Sequence, residues 1–357
     1  LRRSLSIITA VFLLAAAPAR ADPPAYILVN ADKGTVLGHN DADVLWHPAS
    51  LTKLMTAYLT FEALKAGRLK TNSPVVVSAN ALAQPPSKMG YKVGTVLTVD
   101  NALKMLLVRS ANDIAVAIAE AVGGSEKAFV ARMNDTAARL GMASTHFDNP
   151  HGLPDDGQVT TARDLAVLAQ ALWAEFPDYR PYLGIPAIKA GKTVLRSHNA
   201  LLEHYRGTNG MKTGFICASG FNLVASATRD ERTLIAVVLG EDSWADLAER
   251  AAELLNDGFR PRLLSFAAEP ELTAFAALQA PGPAIDMRDY GVCPKSAPAE
   301  QGEDTAADDI ATSALEPRFE LMKPVPVTTG GAAAPAKTAR ALGVPLPRLR
   351  PPAAPGG

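Results

Sequence analysis

The spacing of hydrophobic positions changes several times along the chain, and each change marks an element. Residues 25–31 and 35–38 are short apolar-rich runs either side of Asp32-Lys33-Gly34, which predicts a β-hairpin turned at those three residues. A helical pattern follows over 51–66 and stops at Gly67. Asp100 is expected to cap a second helix, with Ala102, Leu103, Leu106 and Leu107 on one face. A third runs over 114–122 to Gly123-Gly124, and Ser125 is expected to cap a fourth, with Phe129, Met133 and Leu140 on its apolar side. Strand-like runs return at 222–228 and 233–239, a second hairpin about Arg229-Asp230-Glu231-Arg232, and a helix over 243–255 closes the series. Strands at both ends with helices between predict an α+β fold: an antiparallel sheet flanked by helices, with a mostly helical subdomain.

The two ends of the chain depart from this pattern. Arg2 and Arg3 precede an apolar run over 5–17, and Ala19-Arg20-Ala21 follows, the layout of a secretory signal cleaved after Ala21. That run falls short of the roughly 20 residues a membrane-spanning helix needs. Beyond about residue 262 the periodicity is lost, and 14 of the 27 prolines lie between Pro270 and Pro355. Such composition buries too little apolar surface to offset the entropy of ordering it. The expected organisation is a signal peptide over 1–21, a folded domain over 22–262 and a Pro/Ala-rich, mostly disordered tail over 263–357. A short piece of the tail, residues 285–293, is the candidate to dock on the domain. Prolines 345, 347, 351, 352 and 355 interrupt any amphipathic helix at the end, so the expectation is a soluble periplasmic protein with no stable membrane anchor.

Composition narrows the function classes. A formal net charge of −1 over 357 residues leaves no electrostatic footprint for nucleic acid. Two cysteines and six scattered histidines exclude a disulfide scaffold and show no familiar metal-ligand spacing, so neither metal nor cofactor is expected.

Three short motifs carry the candidate chemistry. Ser50-Leu51-Thr52-Lys53 is an S-x-x-K at a predicted helix start, Ser110-Ala111-Asn112 an S-x-N between two helices, and Lys212-Thr213-Gly214 a K-T-G ahead of the final hairpin. Each alone is weak: Ser50 alone reads as a helix cap, and Ser78-Ala79-Asn80 is a second S-x-N. Their order and their placement at element boundaries make the set specific. A three-residue offset puts Ser50 and Lys53 on one helical face. A K-T-G on an edge strand offers a cation, a hydroxyl and a backbone that a substrate can approach closely.

With these motifs the chain resembles the low-molecular-mass penicillin-binding proteins, the serine D-Ala-D-Ala carboxypeptidases of peptidase family S11. The resemblance also covers Pro48-Ala49-Ser50-Leu51-Thr52-Lys53-Leu54-Met55-Thr56, His151-Gly152-Leu153, Thr161-Ala162-Arg163-Asp164 and residues 219–227. It implies a β-lactamase/transpeptidase-like fold, peptidoglycan stem peptides as substrate and β-lactams as inhibitors. It further implies Ser50 as nucleophile, Lys53 as general base, Ser110 as proton relay and Asn112 as a substrate contact. Lys212 and Thr213 would hold the terminal carboxylate, beside Gly214, and the Ser50 and Phe215 amides would form the oxyanion hole. To act as base at neutral pH, Lys53 must lie roughly three units below the ordinary lysine value. The middle residue of Ser110-Ala111-Asn112 departs from the family's S-G-N, and His198 aligns where some members place an arginine near the substrate carboxylate. An ordinary surface role for His198 stays open, and capping or packing is expected of His151. In an exported chain two cysteines favour pairing, so a Cys217–Cys293 disulfide is expected to pin the start of the tail beside the site. A D,D-endopeptidase remains the nearest alternative, and a non-catalytic peptidoglycan-binding protein a more distant one. A class A β-lactamase is less expected, because no convincing Glu-x-x-Asn motif supplies a deacylation base.

Overall fold

The structure, a computed structural model, describes residues 24–261, 270–273, 282–293, 314–319 and 323–332. The N-terminal hairpin pairs β1 (Ala25–Asn30) with β2 (Thr35–Asn40) in antiparallel register. Asn30 closes its turn by accepting from the Asp32 and Lys33 amides. A single 3-10 turn, Ala49–Thr52, leads into α1 (Lys53–Lys65). β3 (Pro74–Val76), α2 (Ala79–Ala83) and β4 (Val96–Thr98) follow, β3 and β4 forming a small ribbon. The helical part is completed by α3 (Val99–Val108), α4 (Asn112–Gly123), α5 (Glu126–Leu140) and α6 (Ala162–Glu175). β5 (Ala187–Ala190) and β6 (Thr193–Arg196) make a hairpin, and α7 (Leu201–His204) is a single turn. β7 (Thr208–Ile216), β8 (Gly220–Arg229) and β9 (Arg232–Glu241) are long, and α8 (Trp244–Phe259) ends the domain.

The main sheet runs β2-β1-β9-β8-β7, antiparallel throughout, so β7 lies at an edge. β9 is apolar at every central position because the sheet is covered on both faces. Ile235, Val237 and Leu239 join the core shared with α1, α3, α4 and α6, whereas Leu234, Ala236 and Val238 pack under Leu247, Ala251 and Leu255 of α8. α1 is enclosed on nearly every side, from Lys53 through Phe61, which makes it the central helix of the core. Among the described residues no helix is long and apolar enough to cross a membrane.

Two expectations need adjustment. Thr98, not Asp100, caps α3: its hydroxyl accepts from the Asn101 amide at 3.0 Å. The helix starts one residue after β4, so Asp100 falls in its first turn, where it pairs with Lys104 at 2.7 Å. The expected signal peptide lies outside the described residues, and the tail is described only in segments, but these hold more structure than its composition suggested. Besides 282–293, residues 314–319 bond to α7, and β10 (Val325–Val327) pairs parallel with β5. Their side chains and main chain find partners already ordered on the domain, which lowers the entropic cost that composition alone implies.

Candidate active site

Burial of Lys53 at the start of the central helix organises the site. The residue has no exposed surface, and its Nζ donates to Ser50 Oγ at 2.8 Å, Asn112 Oδ1 at 2.8 Å and the His151 carbonyl at 2.6 Å. Each partner comes from a different piece of chain: the turn before α1, the first residue of α4, and the 149–153 loop. Asn112 is oriented from its other end, since its Nδ2 donates to Pro85 O at 3.0 Å and its amide to Ser87 O at 2.7 Å. With Nδ2 committed to a carbonyl, the oxygen must be the atom facing Lys53. In this state both ends of the Asn112 side chain serve the protein.

Close packing explains two glycines. A Cβ on Gly152, at φ +90°, would lie 1.8 Å from Ala49 O, so only glycine lets the 149–153 loop reach the residue before Ser50. A Cβ on Gly214 would meet the Ser50 and Leu51 amides at 3.0 Å each. The K-T-G strand therefore runs alongside the turn that carries Ser50. Ala49 and Ser110 themselves adopt positive φ, +46° and +61°, strained for residues with a Cβ and held by their surroundings. Ser110 sits between α3 and α4 with its Oγ buried and without a hydrogen bond. Lys212 and Thr213 are buried on β7, and Lys212 Nζ donates to Thr213 O at 2.7 Å.

At the same strand, Phe215 stacks on Phe221 with ring centroids 4.3 Å apart, and Trp244 packs edge-on against Phe221 at 4.9 Å. His198 is buried and stacks on Trp244 at 5.7 Å, which places it in the aromatic cluster beside the K-T-G strand rather than on the open surface. The neighbouring Asn199 ties its loop to β7 through an Nδ2 bond to Gly210 O. Cys217 and Cys293 are bonded, and Met287 N donates to Ala218 O at 3.0 Å, so segment 282–293 lies against the turn that follows β7.

His151 joins the site through its main chain. Its imidazole Nδ1 accepts from the Leu153 amide at 3.1 Å, and burial, reinforced by the charge of Lys53, pushes its pKa down to about 3. Sequence reasoning assigned it to capping or packing and missed the carbonyl, because nothing in a residue's type announces a main-chain contact. It also missed the 85–87 loop and Asp113. The Asp113 carboxylate accepts from the Met89 and Gly90 amides at 3.0 and 2.8 Å, pinning the chain just beyond that loop to α4, and burial raises its pKa. The resembling Thr161-Ala162-Arg163-Asp164 stretch is scaffold. Thr161 caps α6, and Asp164 accepts from Ser144 N and Thr145 Oγ1. Arg163 approaches Asp164 to 2.6 Å as an ion pair without hydrogen-bond alignment, and bonds Asp43 through Nε at 2.9 Å.

Comparison with known proteins bears on the family and the fold. The D-alanyl-D-alanine carboxypeptidase family, peptidase S11, matches residues 14–243. The D-alanyl-D-alanine carboxypeptidase DacA of Escherichia coli K12 is 37% identical over 246 residues, which cover 67% of this chain and 61% of that protein. The chain thus spans about three fifths of that relative's length. Penicillin-binding protein 5 of Haemophilus influenzae superposes with a TM-score of 0.64 at 31% identity, over 69% of this chain and 73% of that one. Penicillin-binding protein D2 of Listeria monocytogenes, solved in its ampicillin-bound form, gives 0.57 at 29% identity, over 66% and 96%. Family match, shared fold and motif placement together make this chain a member of the D-alanyl-D-alanine carboxypeptidase family, peptidase S11.

Proposed function

We propose that the chain is a serine D-Ala-D-Ala carboxypeptidase that removes the terminal D-alanine from peptidoglycan stem pentapeptides through an acyl-enzyme on Ser50, and that β-lactams acylate the same residue. The contact of Lys53 Nζ with Ser50 Oγ, at 2.8 Å, carries this reading. A neutral lysine has two N–H donors and one lone pair. Asn112 Oδ1 and His151 O can only accept, whereas Ser50 Oγ can also give a proton, so in the neutral form Nζ can keep donating to the first two and turn its lone pair to Ser50 Oγ. Desolvation of an enclosed amine favours that neutral form.

As Ser50 Oγ attacks the carbonyl carbon, its proton passes to Lys53. The oxyanion forms beside the Ser50 and Phe215 amides, where one donor is worth about 2.7–4 kcal/mol. The C–N bond then breaks, and Ser110, whose hydroxyl is not committed within the protein, relays to the departing amine the proton that Lys53 took from Ser50: it gives its own proton and receives the one on Lys53, so the amine leaves neutral and Lys53 is free base again. Water cleaves the ester in the second half-reaction, with Lys53 again as base. Lys212, Thr213 and His198, gathered along β7 and its aromatic neighbours, hold the terminal carboxylate. Export to the periplasm is supported by the signal-like first 21 residues and by the Cys217–Cys293 bond, which suits an oxidising compartment.

A fluorescent penicillin should label the protein, and digestion should recover the label on the peptide containing Ser50. Labelling that survives Ser50→Ala would overturn the assignment.

A further inference from the structure

The stretch that carries His198 is held from outside by the C-terminal part of the chain. Arg196, two residues before His198, donates to Glu203 Oε1 at 2.6 Å. Glu203, five residues after it, is buried, and its Oε2 accepts from Arg318 through Nε at 2.6 Å and through Nη2. The main chain reinforces the contact: Phe319 N donates to Glu203 O and Glu316 N to His204 O, each at 2.9 Å. A second tail segment, β10, extends the β5–β6 hairpin as a third strand alongside β5. That strand is fastened to the helical part, since Asn101 Nδ2 donates to Thr328 O and Gly330 N to Val96 O.

Two tail segments therefore bond the two ends of residues 187–204, β10 at 188–190 and 316–319 at 203–204. Both carboxylate oxygens of Glu203 are occupied, one by the end of β6 and one by the tail, so the span between Arg196 and Glu203 is closed as a short loop with His198 inside it. Charge-assisted hydrogen bonds to a planar guanidinium fix direction as well as distance. A shift of Glu203 relative to Arg196 would move His198 against Trp244.

We propose that segment 314–319 is a positioning clamp: Arg318, acting through Glu203, sets His198 at the carboxylate end of the substrate cleft and so tunes substrate affinity. The proposal rests on the reading of His198 as a carboxylate contact. Arg318→Ala leaves Glu203 paired with Arg196, so the variant should fold.

The test is a double-mutant cycle in the full chain, with steady-state kinetics on a synthetic peptide ending in D-Ala-D-Ala. His198→Gln is expected to raise KM about tenfold, the loss of one charge-assisted bond. Arg318→Ala should raise KM roughly threefold with kcat within a factor of two, and Arg318→Lys should recover part of the loss. If the clamp acts through His198, the double variant matches His198→Gln alone. Multiplying effects, an unchanged KM in Arg318→Ala, or a parallel fall in kcat and thermal midpoint would overturn the clamp while leaving His198 in place. An unchanged KM in His198→Gln would overturn the carboxylate reading itself, and the clamp with it.

Discussion

Lys53 and Glu203 are both buried ionisable side chains with three hydrogen bonds described above, yet their settings differ at every level. The partners of Lys53 belong to the domain core: a turn before the central helix, the start of α4, and a loop pressed onto Ala49 by Gly152. The partners of Glu203 are arginines whose side chains are each 42% exposed, one of them from the tail. Bond-making chemistry is sensitive to displacements of a fraction of an ångström, and dense packing resists them. Under the proposed function, recognition of a flexible peptide's carboxylate tolerates more play, and solvent-screened ion pairs at the periphery would suffice for it.

The contrast can be broken or sharpened by experiment. Lys53→Ala should slow acylation by penicillin about 10³–10⁴-fold, in the upper range for loss of a general base. A loss below tenfold, by stopped-flow or gel-based labelling, would move the base elsewhere. Removing the Cys217–Cys293 bond by paired serine substitutions opens a loop of 76-residue separation and should destabilise by up to about 4 kcal/mol. Urea titration reads that loss, and the acylation rate should stay within roughly threefold if the core alone holds the reaction centre. Gly152→Ala forces a Cβ against Ala49 O at a left-handed φ and should cost about 2–3 kcal/mol while also slowing acylation, since the displaced residue precedes Ser50. Stability lost with no change in rate would show that the loop does not position the nucleophile.

The smallest effect is a slope. His151 is neutral in the folded protein well below its ordinary value of 6.5, down to about 3. As pH falls from 6.5 towards 3 the unfolded chain takes up a proton that the folded one does not, so stability is lost on acidification at up to about 1.4 kcal/mol per pH unit. Denaturation at pH 7, 5 and 4 should show His151→Gln flattening this dependence. An unaltered slope would mean that other groups dominate it.

The elements the sequence makes plain are those whose pattern has one cause. The first hairpin, the Ser125 cap of α5 and the final hairpin all sit where period, cap and turn residues agree. α6 escaped notice because Ala162–Glu175 is buried along nearly its whole length, polar Arg163 and Asp164 included, so its polar positions mark no clear solvent face. The β5–β6 hairpin escaped because its strands are only four residues each, and its third strand comes from the Pro-rich tail. Within the site, Ser50, Lys53 and Lys212 were legible by type and spacing. The His151 carbonyl and the 85–87 loop were not, because main-chain groups are the same at every position.

By itself the sequence determined which side chains are candidates for chemistry and that Ser50 and Lys53 lie close, since their three-residue spacing at a helix start sets that proximity. Only the tertiary structure decided that β7 would lie beside that turn, that Asn112 and His151 would bring acceptor oxygens to the Lys53 amine, and that the tail would grip the stretch holding His198. Those outcomes depend on groups scores of residues apart meeting in one packed volume, and no local pattern encodes a contact of that range.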